Sequence, residues 1–154
     1  MMRKKLIYII IFSPMMAAAQ DMSVNGAIVD ACFDSTMLGS IDPDCIGIAS
    51  NLCQGAPAGS TTLGISQCTM AETAEWDRIL NREYAATRDA YADTPGLADS
   101  LLAAQRAWIA LRDADCSVAY DRYGGGSMRS IAGVYCRLNH TARRALELKI
   151  MREY

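Results

Sequence analysis

The stretch TMAETAEWDRILNREYAATRDAYAD, residues 69–93, decides the fold. Trp76, Leu80, Tyr84, Thr87 and Tyr91 recur at three- and four-residue spacing, which lays one apolar stripe along a helix. Thr69 followed by Glu72 reads as a capping box, the hydroxyl accepting from the third N–H while the carboxyl reaches back. Thr94-Pro95 closes this helix and can cap the next. Downstream, Leu97, Leu101, Ala104, Trp108, Leu111 and Ala119 share one side of a second helix that ends at Tyr123-Gly124-Gly125-Gly126. Ser127 then caps a third helix with the stripe Met128, Ile131, Tyr135, Leu138, Ala142 and Ala145, and Leu146 beside it.

Upstream the chain changes character. Residues 20–65 alternate short segments with turn residues and hold too few large apolar side chains to close a core alone. Asp42-Pro43 reads as an N-cap and first helical position, starting a short helix that carries Cys45 and ends near Cys53. With no internal repeat and no alternating run long enough for a strand, the expected fold is all-α: three long helices with a disulfide-tied helical N-terminal extension. The domain expectation is a signal peptide over 1–19, an acidic Cys-rich extension over 20–65 and a helical domain over 66–154.

The signal-peptide expectation rests on Arg3, Lys4 and Lys5, the apolar run Leu6–Phe12, the break at Ser13-Pro14, and Ala17-Ala18-Ala19. The apolar run is far shorter than the ~20 residues of a spanning helix, so no stable membrane anchor is expected. Cleavage after Ala19 makes the protein periplasmic or secreted. It also removes three of the 15 basic residues against 17 acidic ones, leaving a net charge of −5. All of that charge lies in residues 20–69, where Asp21, Asp30, Asp34, Asp42 and Asp44 meet no Lys or Arg. This balance excludes a strongly basic nucleic-acid binder and suits a basic protein partner.

Six cysteines, at 32, 45, 53, 68, 116 and 136, read as three disulfides in an exported chain, among 15 possible connectivities. The spacings fit no common zinc module and include no Cys-x-x-Cys. A turn near residue 125 brings Cys116 and Cys136 within a helical turn of each other. Cys32 and Cys45 flank the turn at Gly39–Asp42, which leaves Cys53 for Cys68.

A tight turn at 94–95 also sets Asp77 opposite Arg112, Asn81 opposite Trp108 and Tyr84 opposite Gln105. The expectation for Asp77 and Arg112 is a partly buried structural ion pair rather than a catalytic pair. His140 reads as a surface residue without a ligand-type neighbour at helical spacing. Asn139-His140-Thr141 matches a glycosylation sequon by chance inside a helix. Gly124-Gly125-Gly126-Ser127 lacks the lysine and preceding strand of a phosphate loop and reads as a helix connector. Asp113 and Asp115, two apart on a helix, point in different directions and do not form a glycosidase pair. No nucleophile–base pair, metal cluster or cofactor motif emerges, so no enzyme, cofactor or metal is expected.

Cys68, Trp76-Asp77, Leu80-Asn81 and Tyr84, then Ala104-Gln105-Arg106-Ala107-Trp108-Ile109 and Arg112-Asp113-Ala114-Asp115-Cys116, resemble the N-terminal domain of LprI-type lysozyme inhibitors. So do Gly125-Gly126-Ser127, Cys136, Thr141, Arg144 and Leu148, and the resemblance covers about residues 66–148. It implies an exported all-helical domain of bacterial envelopes whose founding activity is inhibition of lysozyme. This chain departs from the lipid-anchored member by lacking a lipid-attachment cysteine and by carrying an N-terminal half with Cys32, Cys45 and Cys53. The resulting expectation is an exported protein-binding module that inhibits lysozyme. The alternative is an envelope structural or interaction protein with another envelope protein as partner.

Overall fold

The computed structural model describes residues 22–153, and these contain five helices and no strand. They are α1 (Gly26–Ser35), α2 (Ile48–Cys53), α3 (Thr62–Ala90), α4 (Leu97–Asp121) and α5 (Met128–Glu153). The fold is all-α, and no described helix is long and apolar enough to cross a membrane. The expected signal peptide lies outside the described residues.

α5 is the central element. Its Leu138, Ala142, Ala145 and Leu148 are fully buried, and the two alanines let neighbouring backbones approach closely. It packs along α3 on one side and α4 on the other, while α3 and α4 barely touch each other. Thr87 of α3 lies 2.9 Å from the Leu148 carbonyl, and Arg152 donates to Glu83 at 2.7 Å, so polar contacts stitch the far end of the α3–α5 seam. The link between α3 and α4 ends at Gly96, whose φ of +77° is a left-handed conformation that glycine adopts without a side-chain clash.

α3 begins seven residues before the expected Thr69. Thr61 is the N-cap, its hydroxyl accepting from the Gly64 N–H at 3.0 Å. Gly64 has no room for a side chain, since a Cβ there would fall 2.1 Å from the Ala58 carbonyl oxygen. The Thr69–Glu72 capping box is therefore corrected. Thr69 lies two turns inside the helix with its hydroxyl on the Ile65 carbonyl, and Glu72 turns inward.

The inward turn of Glu72 explains how the extension is held. Its carboxyl oxygens accept from the Gly47 N–H at 2.8 Å, the Ser50 N–H at 2.7 Å and the Trp76 indole N–H at 3.1 Å. α2 has no side-chain cap of its own, and Glu72 satisfies two backbone donors at its start. The short helix thus begins at Ile48 rather than at Asp42, and Cys45 sits in the turn before it. α1 supplies Val29, Cys32 and Phe33 and α2 supplies Ala49 to the same core as Trp76, Ile79 and Leu138. Phe33 meets Trp76 edge-on, with ring centroids 6.3 Å apart. The expected boundary at residue 66 falls inside α3, and the extension shares its core with the long helices.

Asp42 pins the loop before α2 to α5, accepting from Arg143 Nε at 2.6 Å and Nη2 at 2.9 Å. These hydrogen bonds hold the Asp42 carboxyl below its ordinary range, outweighing a partial desolvation that acts the other way. A carboxyl with a depressed folded pKa contributes stability above its unfolded value and loses it as pH falls through the folded one. Asp42→Asn should therefore destabilise by no more than about 1 kcal/mol at neutral pH, because the pair is largely exposed. The difference from wild type should shrink as pH falls through and below the ordinary carboxylate range, where Asp42 is protonated first in the unfolded chain and then in the folded one. Urea titrations of both proteins across that range check it, and a gap that persists at low pH would be inconsistent with the ion pair.

Candidate protein-binding groove

The three disulfides join Cys32 to Cys45, Cys53 to Cys68 and Cys116 to Cys136, with Cα separations of 5.8, 5.7 and 5.4 Å. All six cysteines are used. The first closes the α1–α2 connection, the second ties the end of α2 to α3, and the third fastens α4 to α5.

The expected Asp77–Arg112 pair is not formed. Asp77 is exposed and accepts from Asn81 of its own helix at 3.0 Å. Arg112 donates to its neighbour Asp113 at 3.0 and 3.1 Å and lies over Trp108, 5.0 Å from the ring centroid. The cause is α5: a hairpin register between α3 and α4 assumes they face each other, and α5 separates them. The other two expected pairs rest on the same register: α3 and α4 barely touch, Asn81 is exposed on α3, and Gln105 accepts from Arg144 of α5.

Gln105, Trp108 and Arg144 instead meet across the α4–α5 seam. Arg144 is almost wholly buried. Its Nε donates to Gln105 Oε1 at 3.0 Å, its Nη1 to Glu147 at 2.9 Å, and its guanidinium lies 6.0 Å from the Trp108 ring centroid. Asp113 also takes Arg137 of α5 at 3.3 Å, and buried Thr141 bonds the Arg137 carbonyl within α5. These side chains lock two helices together.

Locking α4 to α5 while α3 diverges leaves a groove of about 640 Å³ between the start of α3 and the end of α4, floored by α5. Leu63 and Met70 of α3 form one wall, Cys116 and Tyr120 of α4 the other, and Gly133 and Val134 the floor. Leu63 is 67% exposed and Met70 50%, values that are high for side chains of this size on a folded surface. Tyr120 is positioned rather than free. Its ring rests on Gly133, where a Cβ would come within 3.3 Å, and Arg129 stacks over it at 3.9 Å while reaching Asp121 at 3.4 Å. Asp121 and Arg137 add one charge of each sign to the lining, paired with Arg129 and Asp113 beside it.

Sequence reading missed the groove because it arises from helix divergence, which no single stripe encodes. It also misplaced His140. That side chain is 21% exposed, with Nε2 3.3 Å from Asp115 Oδ2 and a ring nitrogen close to both sulfurs of the Cys116–Cys136 bridge.

An open apolar cleft thus lies on a disulfide-braced helical bundle. The chain matches the family described as "Lysozyme inhibitor LprI" over residues 53–148, and it belongs to that family. No curated protein and no solved structure matches it.

Proposed function

We propose that this protein is an exported protein-binding module that inhibits lysozyme through the groove between α3 and α4. The observation that carries the reading is that every residue lining the groove falls inside the stretch matched by the inhibitor family. Charge supports it. The chain without its first 19 residues has a net charge of −5, which steers it toward a basic partner. Export is supported by three disulfides that use every cysteine, because such bridges persist in oxidising compartments outside the cytosol. Mass spectrometry of exported protein should find Gln20 at the N-terminus. A mass retaining Arg3 to Lys5 would contradict cleavage there.

The test is lysis of cell-wall substrate by lysozyme with and without purified protein. Inhibition should appear at micromolar concentration, and association should slow markedly as salt is raised. Val134→Arg, which places a charge on the groove floor, should weaken inhibition at least about tenfold while leaving helix content intact. Absence of inhibition by the wild-type protein would reject the reading. An undiminished Val134→Arg variant would move the contact away from the groove.

A further inference from the structure

α4 packs against α5 on one side, where Leu101, Gln105 and Cys116 are buried, and nothing covers its opposite side among the described residues. That outer side carries no charge from Ser100 to Val118. Its two large side chains are well exposed, Leu111 at 57% and Val118 at 68%. Between and around them Ala103, Ala107, Ala110 and Ala114 are also exposed and recur at four- and three-residue spacing, so one apolar face runs along the helix. One edge of the face carries Asp99, Arg106 and Asp113 at seven-residue intervals, alternating in sign. Arg106 is exposed and enters none of the ion pairs among the described residues. Asp113 receives Arg112 and Arg137 on Oδ1, which leaves Oδ2 for a further donor.

We propose that this face pairs with the same face of a second copy, the two α4 helices running antiparallel about a twofold axis between Trp108 and Ile109. Charge selects the occupant and the register. Apolar layers spaced by a heptad allow Ala103 of one copy to face Ala107, Ala114 or Asp121 of the other. Facing Ala107 brings the two Arg106 side chains together, and facing Asp121 brings the two Asp113 side chains together. Facing Ala114 puts Arg106 of each copy beside Asp113 of the other, twice over by symmetry. The same register packs Ala107 on Ala110 and sets Leu111 beside Ala104. A parallel pair would instead leave each Arg106 beside apolar Leu111. Alanine layers let the axes approach to about 8 Å, the close end of helix packing. One helix on one helix is a small interface, so the dimer is a weak one that forms at micromolar concentration or above. The pairing goes beyond the inhibitor reading and does not depend on it.

Sedimentation velocity of the oxidised mature protein between ~5 and ~500 µM should show a monomer–dimer equilibrium. Ala107→Glu and Ala110→Glu each place a charge beside the twofold at an exposed site that favours helix. Each should weaken the dimer at least about tenfold with an unchanged circular dichroism spectrum. Arg106→Glu, set against Asp113, should weaken it as well. Register is read by cross-linking. Chains carrying Ala103→Cys, mixed with chains carrying Ala114→Cys and mildly oxidised, should join mainly to each other, since like positions lie about 16 Å apart along the helix. A monomer at every concentration, a dimer that all three glutamate variants leave intact, or cross-links formed mainly between like chains would each overturn the proposal.

Discussion

Replacing Glu72 by Ala is expected to destabilise the protein by about 4 kcal/mol, one of the two largest effects we predict for a single side chain. Each buried donor left without a partner costs about 1–3 kcal/mol, and Glu72 serves three: the Gly47 and Ser50 N–H groups and the Trp76 indole. The carboxyl is 1% exposed, so water does not replace it without opening the contact between α2 and α3. Glu72→Gln should cost roughly half as much, because the amide oxygen still accepts while the amide nitrogen confronts a backbone donor. Urea unfolding with an unchanged m-value measures both. An Ala variant within 1 kcal/mol of wild type would mean that these hydrogen bonds do not hold the extension.

Trp76→Ala should cost a further 3–5 kcal/mol by the usual cavity arithmetic, being the largest side chain fully removed from solvent. Its ring contacts Phe33 of α1 and its N–H serves Glu72, so two elements lose support together. The two substitutions should therefore couple. In a double-mutant cycle their joint cost should fall short of the sum by about 1 kcal/mol, because one hydrogen bond is lost in each single variant. Additivity within about 0.3 kcal/mol would show that Trp76 and Glu72 act independently.

These residues also mark what could be read from the chain alone. Trp76 and Leu80 were placed on a buried stripe by spacing, and Leu138, Ala142 and Ala145 likewise, because the 3.6-residue period survives whatever the helices pack against. Gly124–Gly126 and Thr94-Pro95 located the breaks for equally local reasons. The order of the three helices was not legible. Short loops suggest that α3 faces α4, an assumption that fails at Asp77 and Arg112, each of which finds a partner on its own helix. The choice between neighbours depends on α5, which packs against both helices and whose Ala142 and Ala145 are fully buried. Glu72 was misread for a related reason. Thr69-x-x-Glu72 is a start signal only if the helix starts there, and Thr61 with Gly64 starts it two turns earlier.

The cysteines are joined strictly in chain order, each to the next one along, across separations of 13, 15 and 20 residues. A chain delivered amino-terminus first presents its thiols in that order. An oxidant that couples each newly arrived thiol to the one waiting before it makes the native set directly, with no bridge to reshuffle later. The same order leaves three separate closed loops, over residues 32–45, 53–68 and 116–136, with nothing covalent but the peptide chain between them, and its longest unbridged stretch runs from Cys68 to Cys116. Pulling on the two ends of the oxidised protein should consequently lengthen it mainly through residues 69–115, while the loops inside each bridge stay closed.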